Sequence, residues 1–211
     1  MTKTLTASIL LLFSTLSLAD MNQDLLAIQK AWAVANYQTP ESRQESAFES
    51  LEKRARQLVE RYPDRAEPRI WLAISLSTDA GVNGGLSALG KVKEARKLLE
   101  EAEKIDPEAL HGSIYTSLGS LYYKVPGWPL AFGNDDKARR YLQKALAINP
   151  AGIDPNYFYG DFLISQDHPK EAIEYLRRAR QAPPRPDRPI ADAGRRREIA
   201  AALRKAQGML E

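Results

Sequence analysis

The stretch Ala172-Ile173-Glu174-Tyr175-Leu176-Arg177-Arg178-Ala179-Arg180-Gln181-Ala182-Pro183-Pro184 carries a small, a large and a small apolar residue at offsets 0, +4 and +7, then proline at +12. Those offsets put Ala172, Leu176 and Ala179 on one helical face, and they put Pro184 just past the helix end, where its missing N–H costs nothing. The same pattern stands at Leu51, Ala55, Leu58 and Pro63, at Ala95, Leu99, Ala102 and Pro107, and at Ala138, Leu142, Ala145 and Pro150. One supersecondary unit is therefore repeated four times. The marker prolines lie 44, 43 and 34 residues apart. A period of this size belongs to helix pairs stacked into a solenoid, so the expectation is an all-α, right-handed α-solenoid of about four helix pairs.

Each unit also needs a first helix, and the residues ahead of the pattern supply it. Asn156, Tyr159, Gly160 and Leu163 precede Ala172 by 16, 13, 12 and 9 residues. Tyr115, Leu118, Gly119 and Tyr122 hold the same places in the third unit, and Trp71, Ile74, Ser75 and Thr78 in the second. The arrangement resembles the tetratricopeptide-repeat signature W-x2-L-G-x2-Y…A-x3-F…P over residues 24–184. A glycine or serine at its eighth position lets two helices of one unit approach closely.

Units two and three are longer than this pattern. From Trp71 to Ala95 is 24 residues and from Tyr115 to Ala138 is 23, against 16 in the fourth unit. The extra residues are expected between the paired helices, within Asp79–Gly90 and within Lys124–Gly133, as two insertions packed side by side on one edge. In the second, Trp128 and Phe132 are either both held outward as an apolar contact or both folded inward against Leu86 and Leu89.

The 211 residues are 44% hydrophobic, enough to bury a core as one domain, and their periodicity is helical almost throughout. Asp154-Pro155 and Glu67-Pro68 read as cap and first-position pairs, and Asn134-Asp135-Asp136 as acceptors ahead of the helix that carries Ala138. Residues 185–211 are expected to form a linker, Arg185-Pro186-Asp187-Arg188-Pro189, and a C-terminal capping helix near 190–206.

Residues 1–19 have the layout of a secretory signal peptide. Lys3 is the positive start, Ile9-Leu10-Leu11-Leu12-Phe13 the apolar centre, and Ser17-Leu18-Ala19 the small residues before cleavage. The repeat domain would then span 20–184 in a mature chain beginning at Asp20, in the periplasm or outside the cell. No cysteine follows the apolar centre, so lipid attachment there is not expected. Loss of Lys3 lowers the formal charge from +3 to +2, too little to imply nucleic acid.

The absence of cysteine removes disulfides, thiolate metal sites and cysteine nucleophiles together. Gly85-Leu86-Ser87-Ala88-Leu89-Gly90-Lys91-Val92 resembles a phosphate-binding loop, but its valine cannot ligate magnesium and no strand precedes it. His111 and His168 sit near helix starts without a second ligand at i+3 or i+4 and read as cap or surface residues. No catalytic residue, metal site or cofactor is expected. Arg195-Arg196-Arg197 and the cluster Arg177, Arg178 and Arg180 read first as solvated helix faces, with contact to anionic lipid headgroups or an acidic partner as the alternative.

Trp71, Tyr115, Tyr122 and Tyr159 fall on signature positions and read as core. By the tetratricopeptide resemblance, first-helix positions line a concave groove, which here implies Arg69, Leu72, Leu76, Ser113, Thr116, Ser120, Tyr123, Lys124, Asp154, Tyr157 and Asp161. This set lacks the lysine and asparagine pattern that clamps a C-terminal carboxylate in chaperone-binding members. The binding candidates are thus Thr116, Ser120, Tyr123, Tyr157 and Asp161 in the groove, with Trp128 and Phe132 on the edge. The stretch GSIYTSLGSLYYKVPGWPLAFG at 112–133, with Gly84-Gly85, further resembles the periplasmic T component of TRAP transporters. That resemblance implies homo-oligomers and a solute-binding protein as partner. The leading expectation is a periplasmic adaptor that holds a protein or peptide partner in the cell envelope; the alternatives are a TRAP accessory protein and an enzyme of unknown type.

Overall fold

The computed structural model describes residues 4–85 and 87–211, with side chains from Ala19 onward. Among them are nine helices: α1 (Thr4–Tyr37), α2 (Glu41–Arg61), α3 (Ala66–Asn83), α4 (Ala88–Ile105), α5 (Ser113–Lys124), α6 (Asp135–Ile148), α7 (Ile153–Ser165), α8 (Pro169–Gln181) and α9 (Pro189–Gly208). Consecutive helices pair as α1/α2, α3/α4, α5/α6 and α7/α8, and each pair packs on the next. Lys3, at the head of the expected leader, lies outside the described residues, whereas the backbone from Thr4 is already part of α1. Among the described residues no helix is long and apolar enough to cross a membrane.

The repeated apolar triplets form the spine of the core. All of them lie on α2, α4, α6 and α8, and none is more than 6% exposed. The marker prolines stand two residues beyond the last helical residue of α2, α4 and α6 and three beyond that of α8. Trp71, Tyr115, Tyr122 and Tyr159 are buried with them.

The glycines at the eighth position do what their spacing predicts. A Cβ on Gly119 would lie 2.5 Å from Cγ of Leu142, and one on Gly160 would lie 2.7 Å from Cγ of Leu176. The large residue of each second helix therefore fits into the space of a missing side chain on the first. In unit two the small residue is Ser75, fully buried, whose hydroxyl donates to the Trp71 carbonyl at 2.8 Å.

Two helix starts depart from expectation by two residues. α3 begins at Ala66 and α7 at Ile153, so Glu67 and Asp154 stand inside the first turn rather than at the cap. There a carboxylate still meets the positive helix end favourably. Asn134 is the cap expected: its side chain accepts from the Lys137 N–H at 2.8 Å.

The two insertions differ in kind. In unit two most of the extra length is helix, since α3 and α4 are 18 residues each where α7 and α8 are 13. Only residues 84–87 connect them, with Gly84 and Gly85 at φ +62° and +76°, a region side chains rarely adopt. The extended pair carries a buried ionic cluster in which Lys91 pairs with Asp79 and, at 3.0 Å, with Glu52. Burial and the neighbouring Asp79 raise the Glu52 carboxyl above its usual range.

In unit three residues 125–134 form a true loop pinned by its own backbone. The Gly133 N–H donates to the Pro126 carbonyl at 2.9 Å, the Leu130 and Ala131 N–H groups to Gly127, and the Asn134 N–H to Tyr122 at 2.8 Å.

Candidate functional site

α9 does more than end the solenoid. It packs on α8 and α7 and also on α1, so the last helix meets the first across the concave side. Gly194 makes the closest approach: a Cβ there would lie 2.4 Å from the ring of Tyr37. Between α9, its linker and the first helices of the repeats lies a cavity of ≈ 1110 Å³. Trp32, Trp71 and Phe158 are among its apolar lining. Trp32 stands edge-on to Trp71 at 6.0 Å and to Tyr37 at 5.6 Å, and its indole N–H donates to the Thr78 hydroxyl at 2.9 Å.

The charged part of the lining is a network centred on Asp154. Its carboxylate accepts from Arg185 Nη1 at 2.6 Å and from Arg195 Nε at 2.8 Å. Arg185 also bonds Asp192 through Nε at 2.7 Å, and Arg195 pairs with Glu198. Burial by itself would raise the Asp154 carboxyl; the guanidiniums of Arg195, Arg185 and Arg188 overcome it and hold Asp154 well below the usual carboxylate range. Arg195 is buried, with its guanidinium over the rings of Tyr157 at 4.4 Å and Phe158 at 4.7 Å. Tyr37, facing Glu198, is pushed up to about 12, first by burial.

Arg188 differs from its two neighbours. It lies over the ring of Trp71 at 4.9 Å, and its Nε is buried without a hydrogen-bond partner. Burial, then the nearby Arg185 charge, lower Arg188 to about 10.

The expected site residues separate into three groups. Thr116 and Ser120 line the cavity with Ser113 and Lys124; Thr116 is buried and its hydroxyl donates to the Gly112 carbonyl at 3.2 Å. Tyr123 and Asp161 are joined to each other: the Tyr123 hydroxyl donates to Asp161 at 2.7 Å, and Lys124 bonds the same carboxylate at 2.8 Å. Burial opposes ionisation of Asp161, and Lys124 prevails, so its carboxyl is held below the usual range. Tyr157 is buried beneath Arg195, and Leu72 and Leu76 are core.

The edge residues part company. Trp128 is 89% exposed and Leu130 71%, whereas Phe132 is half-buried, edge-on to Tyr122 at 5.6 Å and under the Arg96 guanidinium at 4.4 Å. Neither joint expectation for Trp128 and Phe132 describes this. Leu86, one of the expected seals, lies outside the described residues, and Leu89 is exposed.

The run Arg195-Arg196-Arg197 is likewise not one solvated face. Arg195 is buried in the network, Arg196 donates to the carbonyls of Arg180 at 2.6 Å and Ala182 at 2.9 Å, and Arg197 is exposed. Sequence reading missed Arg185, Arg188, Arg195, Trp32 and Phe158 as lining. Among the described residues no group of three or more His, Asp or Glu side chains is placed to hold a metal ion.

The tetratricopeptide repeat family matches this chain at residues 130–196. The structure is similar to that of a thermophilic TPR protein from Thermus thermophilus, with a TM-score of 0.56 and 16% sequence identity, over 87% of this chain and 98% of that one. No curated protein matches. The chain is thus a tetratricopeptide-like all-helical protein, its helix pairs stacked and finished by a further helix.

Proposed function

We propose that this protein is an exported, non-catalytic adaptor that holds a protein partner of the cell envelope through the edge loop at 125–134. The observation that carries this reading is the split between Trp128 and Phe132. One ring anchors the loop on Tyr122 and Arg96 while the other stands in solvent beside exposed Leu130, on backbone already fixed by hydrogen bonds. An apolar contact ordered in advance loses little entropy when a partner covers it. The concave side is less available to a peptide, because α9 and its linker lie across it.

The test compares two variants. Trp128→Ala with Leu130→Ala is expected to leave the melt within about 0.5 kcal/mol of wild type, as exposed substitutions do. It should abolish capture or self-association by cross-linking in envelope extracts. Phe132→Ala is expected to cost roughly 2 kcal/mol, less than a fully buried phenylalanine because it is half-exposed. Unchanged capture by the double variant overturns the edge as the contact. Expressed in a Gram-negative host, the mature protein should begin at Asp20, and soluble protein retaining Met1 would refute export.

The cavity favours a second reading, an accessory protein of TRAP-type transport that meets a solute-binding protein. Neighbouring genes for transporter membrane subunits and a solute-binding protein would support it, and their absence would favour the adaptor.

A further inference from the structure

The cavity contains three arginines, and the fold accounts for two of them. Arg185 is shared between Asp154 and Asp192, and Arg195 between Asp154 and Glu198. Arg188, on the same linker, has no ion-pair partner among the described residues, not even adjacent Asp187, which also lines the cavity. Its guanidinium lies over the face of Trp71, while its Nε stays buried and unbonded. Arg188 is half-buried; the carboxylates of Asp154 and Asp192 act on it from a distance, but neither reaches it as an ion pair, so its donors are left for another acceptor.

Its surroundings say what would complete it. A guanidinium offers a planar fork of donors that fits two oxygens of one carboxylate or phosphate group. Trp32 and Trp71, themselves largely buried, and half-buried Phe158 line the same cavity and give it an apolar wall for the rest of a ligand. Pockets of this kind, apolar with a few placed polar groups, take small molecules. We propose that the cavity binds a small amphipathic organic anion, its oxyanion head on Arg188 and its apolar body against Trp32, Trp71 and Phe158.

This assignment does not depend on the edge loop, and the experiment keeps the two apart. Octanoate, octyl phosphate, octanol and acetate are titrated calorimetrically into the full mature chain, with circular dichroism melts alongside. At least one eight-carbon anion is expected to bind saturably at about one per chain, and both octanol and acetate at least about tenfold more weakly. The tighter of the two anions identifies the head group. Arg188→Gln should reduce anion binding to the level of octanol while melting close to wild type, because no side-chain hydrogen bond or ion-pair contact is lost with it. Arg188→Lys, which keeps the charge without the fork, should lie between. Trp128→Ala with Leu130→Ala should bind as wild type does. The proposal is overturned if neither eight-carbon anion saturates, if octanol or acetate binds as tightly as the anions, if Arg188→Gln binds undiminished, or if that variant melts well below wild type, which would make Arg188 a structural residue.

Discussion

Asp154→Ala is expected to destabilise the protein by about 3 kcal/mol at neutral pH, because it removes the carboxylate that neighbouring Arg195 and Arg185 share and leaves each with one acidic partner, Glu198 and Asp192. Arg195 is only 8% exposed, so water cannot take the place of the lost partner. The effect has a definite pH signature. Asp154 is held below its ordinary range in the folded chain, so its stabilisation is complete above the unfolded value of about 4. It is lost as pH falls from there towards the lower folded value. Urea melts of wild type and variant should therefore differ most near neutrality and converge in acid below about pH 4. A gap that stays constant through that range would show that Asp154 acts through packing and not through charge.

Ala145→Asp is expected to be at least as damaging. Ala145 is fully buried on α6, and a carboxylate there would have no counter-ion; stripping a polar group of water without a partner costs on the order of 4 kcal/mol or more. With a total stability of about 5–15 kcal/mol for an ordinary domain, much of the protein should be unfolded. Gly119→Leu probes the same α5/α6 contact more gently. Four carbon atoms must enter the space that Leu142 fills, an overpacking worth about 1–3 kcal/mol. Thermal melts ranking Ala145→Asp below Gly119→Leu, and both below wild type, would verify the register. A wild-type melt for either would contradict it.

The repeat register could be read from the chain because it is written locally. Small and large residues at fixed spacing on α2, α4, α6 and α8 meet small residues at fixed spacing on the preceding helices, and no distant partner is needed to interpret them. The insertion in unit two was harder because Gly81, Gly84, Gly85 and Gly90 all look like breaks. Only Gly84 and Gly85 have left-handed backbone, while Gly81 and Gly90 lie within helices with open space around them. Helix packing outweighed the modest penalty of an internal glycine.

The cavity was not legible for a different reason. Asp154 meets Arg185 and Arg195 only because α9 turns back across the concave side, and no periodicity encodes where a terminal helix docks. The arginine run at 195–197 has one composition and three environments. Trp128 and Phe132 likewise share a loop and differ only in which of them the pinned backbone turns towards Tyr122.

The contact between Gly194 and Tyr37 changes what kind of chain this is. In an open solenoid each repeat touches only its neighbours, so stability accumulates unit by unit and either end can fray alone. Here residues 157 positions apart in the chain are in contact, and that contact cannot form until the intervening repeats are in place. Ring closure of this length adds to the loop entropy that must be overcome before any reward arrives, which slows the final folding step. Once made, it couples the two ends, and loss of order at α1 becomes loss of order at α9. An array that would otherwise peel from its ends is held to a single concerted transition.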